Sequence, residues 1–179
     1  MLTAKEKQLL VKIARETIIS YVQNGTIPHL EITNKNLQVN QGCFVSIKID
    51  GMLRGCIGNF ISQKPLYLLV QEMAVSAATQ DPRFYPMKRG DLENFNLEIS
   101  VLSPLTKISS VEEIKVGVHG LYLEKNFSRG VLLPQVAVEY GWNRDTFLGQ
   151  TCLKAGLNRD DWMEGTDIYT FSAQVFSDN

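Results

Sequence analysis

The sequence predicts an α+β fold, with antiparallel sheets flanked by helices. Three observations carry this. The chain opens with a capped amphipathic helix. Two alternating segments meet at Asp50-Gly51, the signal of a tight hairpin. Further helical segments are inserted between hairpin-linked strands, a pattern that belongs to α+β architecture.

Thr3-x-x-Glu6 is a capping box. Behind it Leu9, Leu10, Ile13, Ala14, Thr17, Ile18 and Tyr21 recur at helical spacing, and Asn24-Gly25 ends the pattern. A polar loop containing Pro28 follows. Phe44 to Ile49 alternates as a strand, with Val45, Ile47 and Ile49 on one side, and the return strand runs from Met52 to about Ile57. A second helix begins at about Pro65, where proline suits the first turn. Its apolar stripe is Leu66, Leu69, Val70, Met73, Ala74 and Ala77. Pro82 and Pro86 make the next segment irregular. Asn96 to Leu102 alternates as a strand. Val116–Leu123 and Val131–Leu133 read as a hairpin closed by Asn126 to Gly130. Helices cover about 135–140 and 144–155, the second stopped by Gly156. Ile168 to Phe176 reads as one strand, with Tyr169, Phe171, Ala173 and Val175 sharing a face.

At 179 residues the chain is the size of one domain or of two intimately joined lobes, and no linker cuts it. Apolar residues make up 44% and charged residues 21%, the balance of a globular chain rather than a disordered one. The net charge of −1 is spread along the sequence without a basic stripe. That disfavours strong nonspecific nucleic-acid binding, which needs clustered cations against phosphates. No apolar run reaches membrane-spanning length. The amphipathic, charged start is unlike a signal peptide, and the odd, scattered cysteines Cys43, Cys56 and Cys152 read as reduced thiols. The expectation is a cytoplasmic protein. Two histidines and no Cys-x-x-Cys pair leave no ligand set for a structural zinc, and the residues single out no cofactor.

The segment Leu53-Arg54-Gly55-Cys56-Ile57-Gly58 concentrates the functional signal. If a two-residue turn at Asp50-Gly51 sets an unbroken register, Ile47 faces Arg54 and Val45 faces Cys56. Arg54 and Cys56 then share the otherwise apolar face of Val45, Ile47 and Ile49. A charge there needs a carboxylate or an opening, because burying it unpaired costs several kcal/mol. A cation near Cys56 would favour the thiolate, the reactive form. Gly55 and Gly58 mark a bulge or a close approach by a ligand or another backbone. Cys56 reads equally as a small inert core residue.

These residues resemble the signature hexapeptide of the AMMECR family, named for the Alport syndrome, midface hypoplasia and elliptocytosis chromosomal region. Its prokaryotic members are called AmmeMemoRadiSam system protein A. Asp81-Pro82-Arg83-Phe84, Glu98 to Leu102, Gly117 to Leu121, Leu132 to Ala137 and Lys154 to Leu157 resemble the family pattern in the same order, across nearly the whole chain. The resemblance implies a single AMMECR-type domain over residues 1–179. It would be two α/β lobes with the hexapeptide near a cleft between them. It also implies partners. Relatives are often encoded beside Memo-like and radical S-adenosylmethionine proteins, and from those neighbours a role in base or RNA modification has been suggested.

Other residues join the candidate site. Asp81 is a partner for Arg54 through a carboxylate–guanidinium fork, or a loop residue capping an amide; Arg83 is its neighbour. His119, on the predicted strand between Gly117 and Gly120, is the candidate base for Cys56. Glu98 is a solvated side chain or the carboxylate that neutralises Arg54. Gln135, after Pro134 at a strand-to-helix junction, can point into a cleft. Three function classes follow, in this order: an enzyme subunit with Arg54, Cys56 and His119 as catalytic candidates; a noncatalytic module binding a small ligand or partner loop; and a scaffold.

Overall fold

A computed structural model describes residues 1–178. The chain forms two compact units. The first comprises Met1–Leu102 and the residues from Gln174 on; the second, Ser103–Ala173, is inserted into it.

The first unit opens with α1 (Ala4–Asn24). Glu6 accepts the Thr3 N–H at 2.7 Å while Thr3 Oγ1 accepts the Glu6 N–H, so two otherwise orphaned donors are satisfied. Asn34 and Asn36 also donate to Glu6, at 3.0 and 2.9 Å. The Thr3 amide, then Asn36 and Asn34, bring the Glu6 carboxyl down to about 2. Gly25 ends the helix at φ +71° and donates to Tyr21 O, a conformation glycine adopts without strain. Next come β1 (Cys43–Ile49), β2 (Met52–Asn59), α2 (Leu66–Thr79) and β3 (Phe95–Leu102). The last strand, β8 (Ala173–Ser177), completes a four-stranded sheet in the order β2-β1-β3-β8. β1 is antiparallel to both β2 and β3. α1 and α2 bury Leu10, Ile13, Ile18, Leu69, Val70 and Met73 against the sheet face of Val45, Ile47, Leu97 and Ile99.

The second unit holds β4 (Thr106–Lys107), β5 (Gly120–Lys125), β6 (Ser128–Leu132), α3 (Pro134–Glu139), α4 (Arg144–Lys154) and β7 (Asp167–Phe171). Its sheet runs β4-β7-β5-β6, and the pairs β4–β7, β5–β7 and β5–β6 are antiparallel. Its own core gathers Leu121, Leu123, Phe147, Leu148, Cys152 and Ile168. The architecture is therefore α+β. Among the described residues no helix is long and apolar enough to cross a membrane.

Three local readings of the sequence change. Residues 168–176 are two strands rather than one. β7 lies in the second sheet and β8 in the first, with exposed Ser172 between them. Val175 is 50% exposed, while Phe176 packs on the first core, so the alternation does not carry across the break. Val116 to His119 is a turn, with Gly117 at φ +84°, and the strand begins at Gly120. The hairpin register also slips. Asp50 and Gly51 both take positive φ, as a type I′ turn requires, and Ile49 faces Met52 as expected. A bulge then makes Ile47 face Gly55, not Arg54.

Gly55 carries the tightest constraint. A Cβ there would sit 2.0 Å from the Ala77 carbonyl oxygen of α2, so helix and strand approach backbone to backbone. The neighbour is main chain and cannot rotate away. Gly55→Ala is expected to cost about 2–3 kcal/mol in denaturant unfolding, as overpacked sites do. Gly90→Ala, where the added methyl meets nothing within 4 Å, is the control and should change stability by less than about 1 kcal/mol.

Candidate functional site

The bulge at Arg54 decides where the hexapeptide points. Beyond it, Cys56 faces Ser46 and Ile57 faces Val45. Cys56 therefore leaves the Val45–Ile47 face and joins the opposite one, with Ser46 and Lys48. Across the next strand pair Ser46 faces Glu98. A row of thiol, hydroxyl and carboxylate thus spans three strands on the face away from α1 and α2. The Ser46 hydroxyl donates to Cys56 Sγ at 3.1 Å. Glu98 pairs with Lys48 Nζ at 3.1 Å, rather than neutralising Arg54.

β2 is an edge strand, so the outward amide and carbonyl of Cys56 lack a strand partner. The 81–84 loop supplies one. Asp81 Oδ2 accepts the Cys56 N–H at 2.9 Å, and Arg83 Nη2 donates to the Cys56 carbonyl at 3.4 Å. Arg83 grips Asp81 through a two-pronged contact, Nε to Oδ1 at 3.0 Å and Nη2 to Oδ2 at 2.7 Å. Asp81 is only 4% exposed. The Arg83 guanidinium, with the amides of Cys56 and Arg83, holds its carboxyl well below the usual carboxylate range against the opposing effect of burial. Asp81 is thus the partner of Arg83 and of the Cys56 amide, not of Arg54.

Arg54 finds Asp91 instead, at 3.3 Å. Among the described residues its buried Nη1 has no hydrogen-bond partner. Gly55 and Gly58 make room for protein: Gly55 for α2, and Gly58 for the Phe44 ring, which an added Cβ would meet at 2.3 Å. His119 and Gln135 belong to the second unit. His119 Nδ1 accepts the Lys115 N–H at 3.3 Å, and Gln135 is exposed in the first turn of α3.

The three thiols separate cleanly. Cys43 and Cys152 are fully buried, while Cys56 is half-buried. Burial, with the nearby Glu72 charge, pushes Cys43 up to about 12, and burial also raises Cys152. Among the described residues no group of three or more His, Cys, Asp or Glu side chains is placed to hold a metal ion.

The sequence reading missed Ser46, Lys48 and Asp91. The first two follow once the bulge is known. Asp91 accepts the Lys88 N–H at 2.8 Å, closing a short turn, and that local role gives no sequence signal of its reach to Arg54.

A family model described as AMMECR1 matches residues 11–176. This chain belongs to the AMMECR1 family. Protein MK0488 of Methanopyrus kandleri is 41% identical over 187 residues, spanning 99% of this chain and 90% of that protein. Protein MJ0810 of Methanocaldococcus jannaschii is also 41% identical, spanning 99% of this chain and 92% of its own length. The crystal structure of the uncharacterized protein PH0010 from Pyrococcus horikoshii matches with a TM-score of 0.86 at 37% identity, covering 98% of this chain and 93% of that one. These AMMECR1 relatives are described without an activity, so the chemistry rests on the residues themselves.

The Asp81 arrangement has a signed pH consequence. Its folded carboxyl is more acidic than an unfolded aspartate near about pH 4, so its contribution is present above that pH and is lost as pH falls below it. Asp81→Asn should lower stability near neutrality by about 1–3 kcal/mol, since it weakens the hydrogen bonds of a buried carboxylate to the Cys56 amide and to the half-exposed Arg83. Urea unfolding from pH 7 to pH 2 should show the wild type losing more stability than the variant below about pH 4.

Proposed function

We propose that this chain is a binding subunit of a multi-protein system, presenting the outer face of the first sheet around Cys56 to a small ligand or a partner loop. The partners are Memo-like and radical S-adenosylmethionine proteins, and the system modifies a base or an RNA. The observation that supports this is the treatment of Cys56. Its backbone is clamped by Asp81 and Arg83, its thiol is half-buried beside Ser46, and the charges around it are spent on one another: Arg83 on Asp81, Lys48 on Glu98, Arg54 on Asp91. Such a face offers a fixed shape with a polarizable centre and little uncompensated charge, which suits recognition by contact.

A second reading makes Cys56 a thiolate nucleophile within an enzyme subunit. It is favoured by the accessibility of this thiol relative to Cys43 and Cys152. One set of measurements separates the two. Iodoacetamide labelling of the native protein, read by peptide mass spectrometry between pH 6 and pH 9, should modify Cys56 and spare the two buried thiols. In the binding reading Cys56 labels no faster than a free thiol near neutral pH. Cys56→Ala then keeps capture of the co-expressed partners, and the bulky Cys56→Trp abolishes it with the fold retained. Labelling well above the free-thiol rate near neutral pH instead supports the nucleophile. Full partner capture by Cys56→Trp removes this face from the interaction.

A further inference from the structure

The second unit carries a groove that the Cys56 face does not use. It opens where β4 and β7 part, between the segments 107–111 and 162–168, and encloses about 450 Å3. That lies within the range of about 300–1,000 Å3 seen for small-ligand sites. Ile108, Val111 and Trp162 form its floor; they are half-buried, packing on the second core below and lining the groove above. Met163, 66% exposed, stands between this groove and an adjoining one of about 520 Å3 lined by Lys125, Asp160, Asp161 and Glu164.

Charge decides what the paired grooves can hold. Both lysines are already engaged: Lys107 with Asp167 at 2.8 Å, and Lys125 with Asp161 at 2.8 Å. Asp160 and Glu164 are exposed, and among the described residues neither stands in an ion pair. An anionic ligand would therefore meet two uncompensated carboxylates. A cation would meet the same carboxylates as partners in the second groove, while across Met163 the first groove offers Trp162, and an indole attracts ammonium and guanidinium groups. We propose that the Trp162-floored groove and the carboxylate-lined groove beside it, which share Met163, together bind an organic cation: an apolar body in the first and its ammonium or guanidinium toward the second. Its source is a free small amine or the Lys or Arg side chain of a partner. The site lies in the second unit and stands independently of any role for Cys56.

The test follows the two indole N–H signals of the full chain by NMR, with Trp142 as the internal control. The probes are benzyltrimethylammonium, acetyl-arginine amide and phenylacetate. The expected result is a saturable shift of the Trp162 signal with at least one cation, a still Trp142 and no response to phenylacetate. Added salt should weaken the binding. Asp160→Asn combined with Glu164→Gln, both exposed side chains, should weaken it about three- to tenfold. A response to benzyltrimethylammonium alone assigns the site to a free amine, and a stronger response to acetyl-arginine amide assigns it to a protein side chain. The proposal is overturned if neither cation saturates the Trp162 signal, if phenylacetate shifts it equally, or if the double variant binds as the wild type does.

Discussion

A strand presents alternate residues to opposite faces, so one extra residue reassigns every side chain beyond it. In β2 that residue is Arg54. On the turn side of the bulge, Ile49 still faces Met52; on the other side, Gly55 takes the place opposite Ile47 that Arg54 would have filled. The consequences reach through the first unit. Gly55 turns toward α2, where only a residue without a side chain lets the helix carbonyl approach. Cys56 turns away from the helices and into a polar row. Arg54, released from the ladder, is bound by Asp91 from outside the sheet. Helix packing, thiol position and the fate of the arginine are one constraint seen from three sides.

The 81–84 loop complements that constraint. An edge strand bent by a bulge loses ladder order and still exposes its outward amides. A backbone amide and carbonyl normally take another strand; here a carboxylate and a guanidinium take them, and the pair neutralises itself. The arrangement seals the edge against adventitious pairing and fixes the Cys56 backbone. Two residues that read in the sequence as ligand-binding charges thus have a definite structural task at the candidate site.

Much of this architecture was legible beforehand, for reasons that are local. The Thr3–Glu6 box, the Asp50-Gly51 turn, the helical stripe after Pro65 and the glycine stop at Gly156 are all written within a few residues of where they act. The face of Cys56 was not, because it depends on a count of residues between two strands that hydrophobic alternation leaves open. Gly55 held the clue, since a glycine inside a strand marks a bulge or a close backbone, and here it marks both. The break at Ser172 was hidden by Tyr169, Phe171, Ala173 and Val175, which alternate in the sequence although the chain passes from one sheet to the other between them and their burial does not alternate with them. Partners distant in sequence, such as Arg54 with Asp91 and Lys48 with Glu98, have no local signature.

The placement of β8 bears on how the molecule assembles. The first sheet receives its last strand from residues 173–177, after the entire second unit has been made. On a ribosome, the contiguous second unit emerges with all its strands in hand, whereas the first waits with the β3 edge uncovered and its helices already out. For that interval an unpaired strand edge faces solvent or a chaperone, and the pairing that closes it joins β3 to β8 across the whole inserted second unit, a non-local closure with its loop-closure entropy. The order of synthesis therefore leaves the earliest-made part of the protein waiting for the last strand of its sheet until the second unit has been completed.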